Sequence, residues 1–145
     1  MINVILSGAN GHMGKVIASL AENNPDIRIC AGFDINNMPG DGFPVYKNPF
    51  EYTGEADVII DFSHPSAFQE LTKYAKERKL PTIFATTGLS DEQKKELRAL
   101  AADIPVFFSA NMSLGVNLLI DLVKRAAAAL QGFDIEIIEK HHNRK

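Results

Sequence analysis

Cysteine is nearly absent. Cys30 is the only one, so the sequence permits no internal disulfide, and its apolar neighbours Ile29 and Ala31 suggest a buried, inert thiol. An excess of charge of one sign is lacking too. Fifteen Lys and Arg stand against eighteen Asp and Glu, a formal net charge of −3, which argues against a nucleic-acid binder with its strong basic excess. Basic side chains concentrate only in residues 140–145. No apolar run approaches the roughly 20 residues that span a bilayer. Met1-Ile2-Asn3 leads straight into an apolar segment with no charged n-region, so no secretory leader is expected. These absences together suggest a cytoplasmic chain with neither a membrane nor a nucleic-acid partner. What remains is an ordinary soluble composition, 46% apolar and 23% charged over 145 residues, close to the size of one domain.

Short apolar runs alternate with helical stretches almost from end to end. Residues 2–7 (INVILS), 27–33, 57–62, 82–85 and 105–109 read as strands, with a weaker one near 44–46. The continuous apolar character of the first suits a strand covered on both faces. Helices are expected over 15–24, where Val16, Ile17, Leu20 and Ala21 fall at helical spacing, and from Pro65 to about Arg78. Another is expected over 90–102, where Ser90 and Gln93 form a capping box. A long one begins at Ser113, itself expected to serve as a cap, and ends near Gly132. Strands separated by helices imply right-handed crossovers and an α/β, Rossmann-like doubly wound parallel sheet. Residues 134–139 (DIEIIE) alternate polar and apolar, which suits a sheet with one wet face. A boundary near Gly132 therefore divides a domain over 1–132 from the first strand of a second, α+β domain over 133–145.

Chemistry is concentrated at the first strand–helix turn, Gly8-Ala9-Asn10-Gly11-His12-Met13-Gly14. Gly8 permits a tight turn, Gly11 lets backbone approach a pyrophosphate, and Gly14 permits close helix–strand packing. The helix start offers free N–H groups to phosphate charge. Alone, the glycine pattern is also compatible with a plain turn or a mononucleotide site. Asp34 lies twenty residues beyond Gly14 (34 − 14), at the end of the second strand, where an acidic group accepts adenosine ribose hydroxyls. Ile35 follows it, so no adjacent arginine waits for a 2′-phosphate, and NADH is expected to be used at least as well as NADPH.

Three further strand ends converge on the same crevice and are polar or small: Phe62-Ser63-His64, Ala85-Thr86-Thr87-Gly88 and Ser109-Ala110-Asn111-Met112. They could hold the ribose and carboxamide ends of a nicotinamide nucleotide. The terminal His141-His142-Asn143-Arg144-Lys145 carries groups able to donate protons or hold a carboxylate. By itself it is more often a solvated tail. Two histidines without a third ligand make a poor metal site, and no metal is expected.

The ordered set of these motifs resembles the 4-hydroxy-tetrahydrodipicolinate reductase family, of the diaminopimelate route to lysine. The resemblance rests on the Gly8–Gly14 loop with Met13, on Asp61-Phe62-Ser63 and on Thr86-Thr87-Gly88. It continues through Ala110 to Ser113, Gly115-Val116-Asn117 and the acidic stretch ending in His141-His142-Asn143-Arg144-Lys145. It covers the whole sequence, in order. The resemblance implies hydride transfer from NADH or NADPH to the cyclic dihydrodipicolinate system. It implies His141 as acid/base proton donor, Lys145 as a second donor and His142 against a substrate carboxylate. Cofactor contacts would come from Gly8, Ala9, Asn10, Gly11, His12 and Met13, from Asp34 and Phe62, from Ala85, Thr86 and Thr87, and from Ser109, Ala110, Asn111 and Met112.

The family continues past this lysine into a mixed-sheet substrate domain through which it forms tetramers. The resemblance therefore implies a longer encoded protein, a homotetramer, and a 145-residue chain that binds cofactor without turnover. Two departures, Ile35 and His12 where relatives often carry arginine, weaken the expected recognition of a 2′-phosphate. Two rivals remain at this stage, a non-enzymatic NAD(H)-sensing module and another amino-acid-pathway dehydrogenase, and neither has a use for His-His-x-x-Lys.

Overall fold

The computed structural model describes residues 1–40, 42–138 and 140. Backbone contacts divide the chain into two units, residues 1–110 and 111–145.

In the first unit six parallel strands form one sheet. They are β1 (Ile2–Ser7), β2 (Ile27–Phe33), β3 (Val45–Tyr46), β4 (Val58–Asp61), β5 (Thr82–Phe84) and β6 (Val106–Phe108), in the order β3-β2-β1-β4-β5-β6. Chain order runs outward from β1 in both directions, so the doubly wound sheet expected from the sequence is present. Its switch point lies between β1 and β4, where the connections leave the carboxyl ends in opposite directions and open a crevice.

Period-two geometry makes the two cores. Ile5 points to one face and its neighbours Val4 and Leu6 to the other, all at most 2% exposed. Ile5, Ile59 and Phe84 pack against Leu71, Tyr74 and Ala75 of α2 (Phe68–Arg78) and Leu97 and Leu100 of α3 (Asp91–Leu100). Val4, Leu6 and Ile29 pack against Ile17, Ala18 and Ala21 of α1 (His12–Glu22). Burying each large aliphatic side chain contributes about 1.5–3 kcal/mol, and that term holds the glycine loop's flanking elements in place.

Several boundaries differ from the sequence reading. α1 starts three residues earlier than expected, at His12, and turns inward the buried Gly14 and the half-buried Ile17, Ala18 and Ala21, while Val16 and Leu20 (67% exposed) face solvent. Residues at i, i+3, i+4 and i+7 share a helix face, which places 16 and 20 on the other side. Cys30 is half-buried rather than buried. The β1–β2 register jumps from Val4↔Ile29 to Ile5↔Ala31, so Cys30 sits at a bulge and donates its thiol to Val4 O at 3.3 Å. The α3 capping box is present as expected, Ser90 Oγ accepting Gln93 N–H while the Gln93 side chain accepts Ser90 N–H.

In the second unit α4 (Leu114–Ala129) is N-capped by Ser113, whose hydroxyl accepts Val116 N–H at 3.4 Å. Asn117 donates its side-chain amide to Asn111 O and Ser113 O at 3.2 and 2.9 Å, closing that turn. The strand expected over 134–139 is not seen: residues 134–138 carry no regular structure, and Glu139 lies outside the described residues. A strand exists through inter-strand hydrogen bonds, and no described segment pairs with this one.

Candidate functional site

Gly8 directly follows β1 with φ +78°, and a Cβ there would meet the Phe62 backbone at 2.7 Å, so only glycine lets the β1 and β4 ends approach this closely. A Cβ on Gly14 would strike the carbonyl oxygens of Gly8 and Ala9, which is why α1 can start directly against the loop it follows. No side chain caps α1, and its first backbone bond runs from Lys15 N–H to Gly11 O at 3.1 Å. The amides of His12, Met13 and Gly14 are thus left for an external acceptor, with the partial positive end of the helix behind them. This is the arrangement that receives phosphate.

Asp34, just past β2, uses both carboxylate oxygens. Oδ2 accepts Asn10 N–H and Oδ1 accepts Asn36 N–H, each at 2.9 Å. Asn10 in turn donates its side-chain amide to Asn36 O and Met38 O at 2.5 and 2.9 Å. The glycine loop and the loop after β2 are therefore clasped to each other. Each oxygen of Asp34 retains a lone pair for a further donor.

A cleft of about 590 Å³ opens between these loops and the β4 end. It is lined by Gly8, Gly11, Asp34, Phe62, Ser63, His64 and Thr87 among the residues expected from the sequence, and also by Lys47 and Ser66. Beneath it lies Asp61, 2% exposed. Its Oδ2 accepts the hydroxyl of Thr86 (3% exposed), and its Oδ1 accepts Ser63 N–H at 3.1 Å. One carboxylate thus fixes the ends of β4 and β5. Among the described residues, Ser63 Oγ is a buried hydroxyl without a partner, at the cleft wall. His64 Nδ1 accepts Ser66 N–H at 3.2 Å and so caps the turn that leads into α2.

The expected residues thus separate into groups. Gly8, Gly11, Asp34, Phe62 and Thr87 meet at the cleft. Ala9 and Ala85 are buried, and Ala9 packs in the core beneath α1; the Thr86 hydroxyl is held by Asp61. These three can offer only backbone groups. His12 and Met13 supply the helix-start amides, and Asn10 the clasp. Ser109 N–H donates to Phe84 O at 3.1 Å at the end of the first unit, next to Ala110, whereas Asn111 and Met112 belong to the second. His141, His142 and Lys145 lie outside the described residues. Lys47 and Ser66 were not legible as cleft residues. Asp61 was visible in sequence as the start of Asp-Phe-Ser, but its bond to a residue 25 positions away was not.

Comparison with known proteins agrees with this construction. The family profile described as "Dihydrodipicolinate reductase, N-terminus" matches residues 2–112, and "Dihydrodipicolinate reductase, C-terminus" matches residues 115–145. The 4-hydroxy-tetrahydrodipicolinate reductase of Caldanaerobacter subterraneus subsp. tengcongensis is 55% identical over the whole chain, and that of Clostridium tetani 42%. The chain spans 57% of the length of each. Among solved structures, a dipicolinate-bound dihydrodipicolinate reductase from Paenisporosarcina sp. TG-14 superposes with a TM-score of 0.74 at 26% identity, covering 88% of this chain and 54% of that one. An oxidoreductase from Agrobacterium radiobacter, solved with NAD+, L-tartaric acid and magnesium, shares the fold at a TM-score of 0.64 and 14% identity. Glycine loop, the acidic residue just past β2 and the family matches over residues 2–112 and 115–145 together lead to one conclusion: this chain belongs to the dihydrodipicolinate reductase family.

Proposed function

We propose that this chain is the nicotinamide-dinucleotide-binding part of a reductase acting on 4-hydroxy-tetrahydrodipicolinate, the dihydrodipicolinate system, to give tetrahydrodipicolinate on the diaminopimelate route to lysine. The observation that carries the proposal is the cleft at the β1/β4 switch point, where Gly8 and Gly11 of the glycine loop and Asp34 line one space directly before the uncapped start of α1. The residues present fit a dinucleotide: Gly11 lines the cleft with no side chain to hold a pyrophosphate off the backbone, and the unpartnered Ser63 hydroxyl awaits a polar group.

Bound there, NADH or NADPH would supply the hydride. The His12, Met13 and Gly14 amides would hold pyrophosphate charge, and Asp34 the adenosine ribose hydroxyls. Phe62 and Thr87, with the backbone of Ala85, Thr86, Ser109 and Ala110, and with Asn111 and Met112, would contact the rest of the nucleotide. His141 would give and take the proton, Lys145 would be a second donor, and His142 would meet a substrate carboxylate. These three roles and assembly as a homotetramer rest on the family motif, whereas a second domain beginning near Gly132 rests on the alternating pattern of residues 134–139 and a cytoplasmic location on the composition. Among the described residues no helix is long and apolar enough to cross a membrane.

The test is a reductase assay on the chain expressed with any coding sequence that follows Lys145. NADH oxidation dependent on the dihydrodipicolinate substrate, reduced by about 10²-fold or more in His141→Gln, is the expected result. Activity untouched by that substitution would overturn the assignment of His141, and absence of substrate-dependent oxidation would overturn the proposal.

A further inference from the structure

Lys47 is the sole lysine or arginine among the residues lining the cleft, where the other ionisable side chains are Asp34, Glu70 and His64. Its place is set by the sheet. β2 pairs with β3 through Gly32↔Val45 and Phe33↔Tyr46, and Asp34 N–H donates to Tyr46 O at 3.0 Å. Lys47 therefore leaves β3 one strand across from the point where Asp34 leaves β2, a separation of about 4.8 Å between strands. Val45 is buried beneath it and Asn48 Oδ1 accepts Phe50 N–H at 2.9 Å just after it, so both sides of this residue are anchored. Its ammonium forms no ion pair with any described residue, and both Asp34 oxygens are engaged by backbone amides.

We propose that Lys47 is a specificity-determining residue that admits a 2′-phosphorylated adenosine ribose, so that this cleft takes NADPH as well as NADH. The inference rests on the dinucleotide reading above. Asp34 faces the ribose hydroxyls and repels a phosphate placed there. A cation on the neighbouring strand end offsets that repulsion without displacing the Asp34 hydrogen bonds that NADH needs. Ile35, the position next to Asp34, contributes no charge, so the offset must come from across the strand pair.

The experiment is titration of the chain, wild type, Lys47→Gln and Lys47→Arg, with NADH and with NADPH at low and moderate salt. Lys47 is exposed, and circular dichroism verifies that the variants fold. Lys47→Gln is expected to weaken NADPH about tenfold while leaving NADH within about twofold, and Lys47→Arg to retain NADPH. In wild type the NADPH affinity should fall more steeply with salt than that of NADH, and the difference should vanish in Lys47→Gln. Equal effects on the two nucleotides, or none, would overturn the role of Lys47 while leaving the cofactor site standing. Failure of folded wild type to bind either nucleotide would overturn both.

Discussion

Asp34 Oδ2 accepts the Asn10 amide at 2.9 Å, and Asn10 returns its side-chain amide to the loop that Asp34 begins, at Asn36 O and Met38 O. The glycine loop and the loop after β2 are thereby one mechanical unit. Preformed loops lower the ordering cost of binding. Asn10→Ala removes both side-chain bonds at an exposed site, and should cost about 1 kcal/mol of stability in urea denaturation. It should also weaken NADH binding by roughly three- to tenfold through lost preorganisation. An unchanged NADH affinity would show that the clasp does not shape the site.

The buried pair of Asp61 and Thr86 makes a separate prediction. Thr86→Val is close in shape but leaves a 2%-exposed carboxylate oxygen without its hydroxyl donor. A stability loss of about 2–3 kcal/mol is expected. Adding Asp61→Asn to Thr86→Val should recover part of it, because a neutral amide is less costly to bury unpaired than a charge. A loss below about 0.5 kcal/mol would mean the carboxylate finds another donor.

Much of this architecture was legible in the sequence, and the reasons are local. Strands β1, β2 and β4 are covered on both faces, so they appear as apolar runs that turn residues delimit, and their bounds fell within a residue of expectation. Gly8 and Asp34 were legible because a turn and a strand end each restrict residue type. The start of α1 was missed because Gly14 has poor helix propensity, which its packing against the Gly8 and Ala9 carbonyls overrides. Lys47 and the Asp61–Thr86 bond were illegible for another reason. Both depend on register between strands far apart in the chain, and nothing in either local segment encodes the partner.

Tyr52 gives the fold an alkaline limit. Burial, and after it the neighbouring Cys30, push its hydroxyl up to about 12 from an ordinary 10.0. Tyr74, whose hydroxyl donates to Tyr52 O at 2.9 Å, is raised as well, chiefly by burial. A phenol whose folded pKa lies above its unfolded one prefers the protonated form when folded. Its contribution is fully present below pH 10 and is lost as the pH rises through about 12. Thermal unfolding followed against pH should show a steep decline between those values, coincident with tyrosinate absorbance and shallower in Tyr52→Phe. A flat profile in wild type would contradict this.

Cofactor preference is expected to respond to position 35 as well as to Lys47. Ile35 is 88% exposed, next to Asp34, and an arginine there can meet a 2′-phosphate in bidentate fashion. NADH is expected to be bound at least as well as NADPH by wild type, with Lys47 keeping NADPH within about one decade, which corresponds to roughly 1.4 kcal/mol. Ile35→Arg should improve NADPH binding about tenfold and leave NADH little changed. Wild type preferring NADPH tenfold or more, or an arginine that alters neither value, would refute the electrostatic account.

The most direct measurement is calorimetric titration of the 145-residue chain with NADH, run alongside a reductase assay of the same sample. Saturable binding at one site is expected, weakened at least about tenfold by Asp34→Ala. No turnover above background should accompany it, since the groups that would exclude water around the substrate are expected in the second domain. A folded wild-type chain that does not bind NADH, or binds it equally well without Asp34, would contradict the account at its centre.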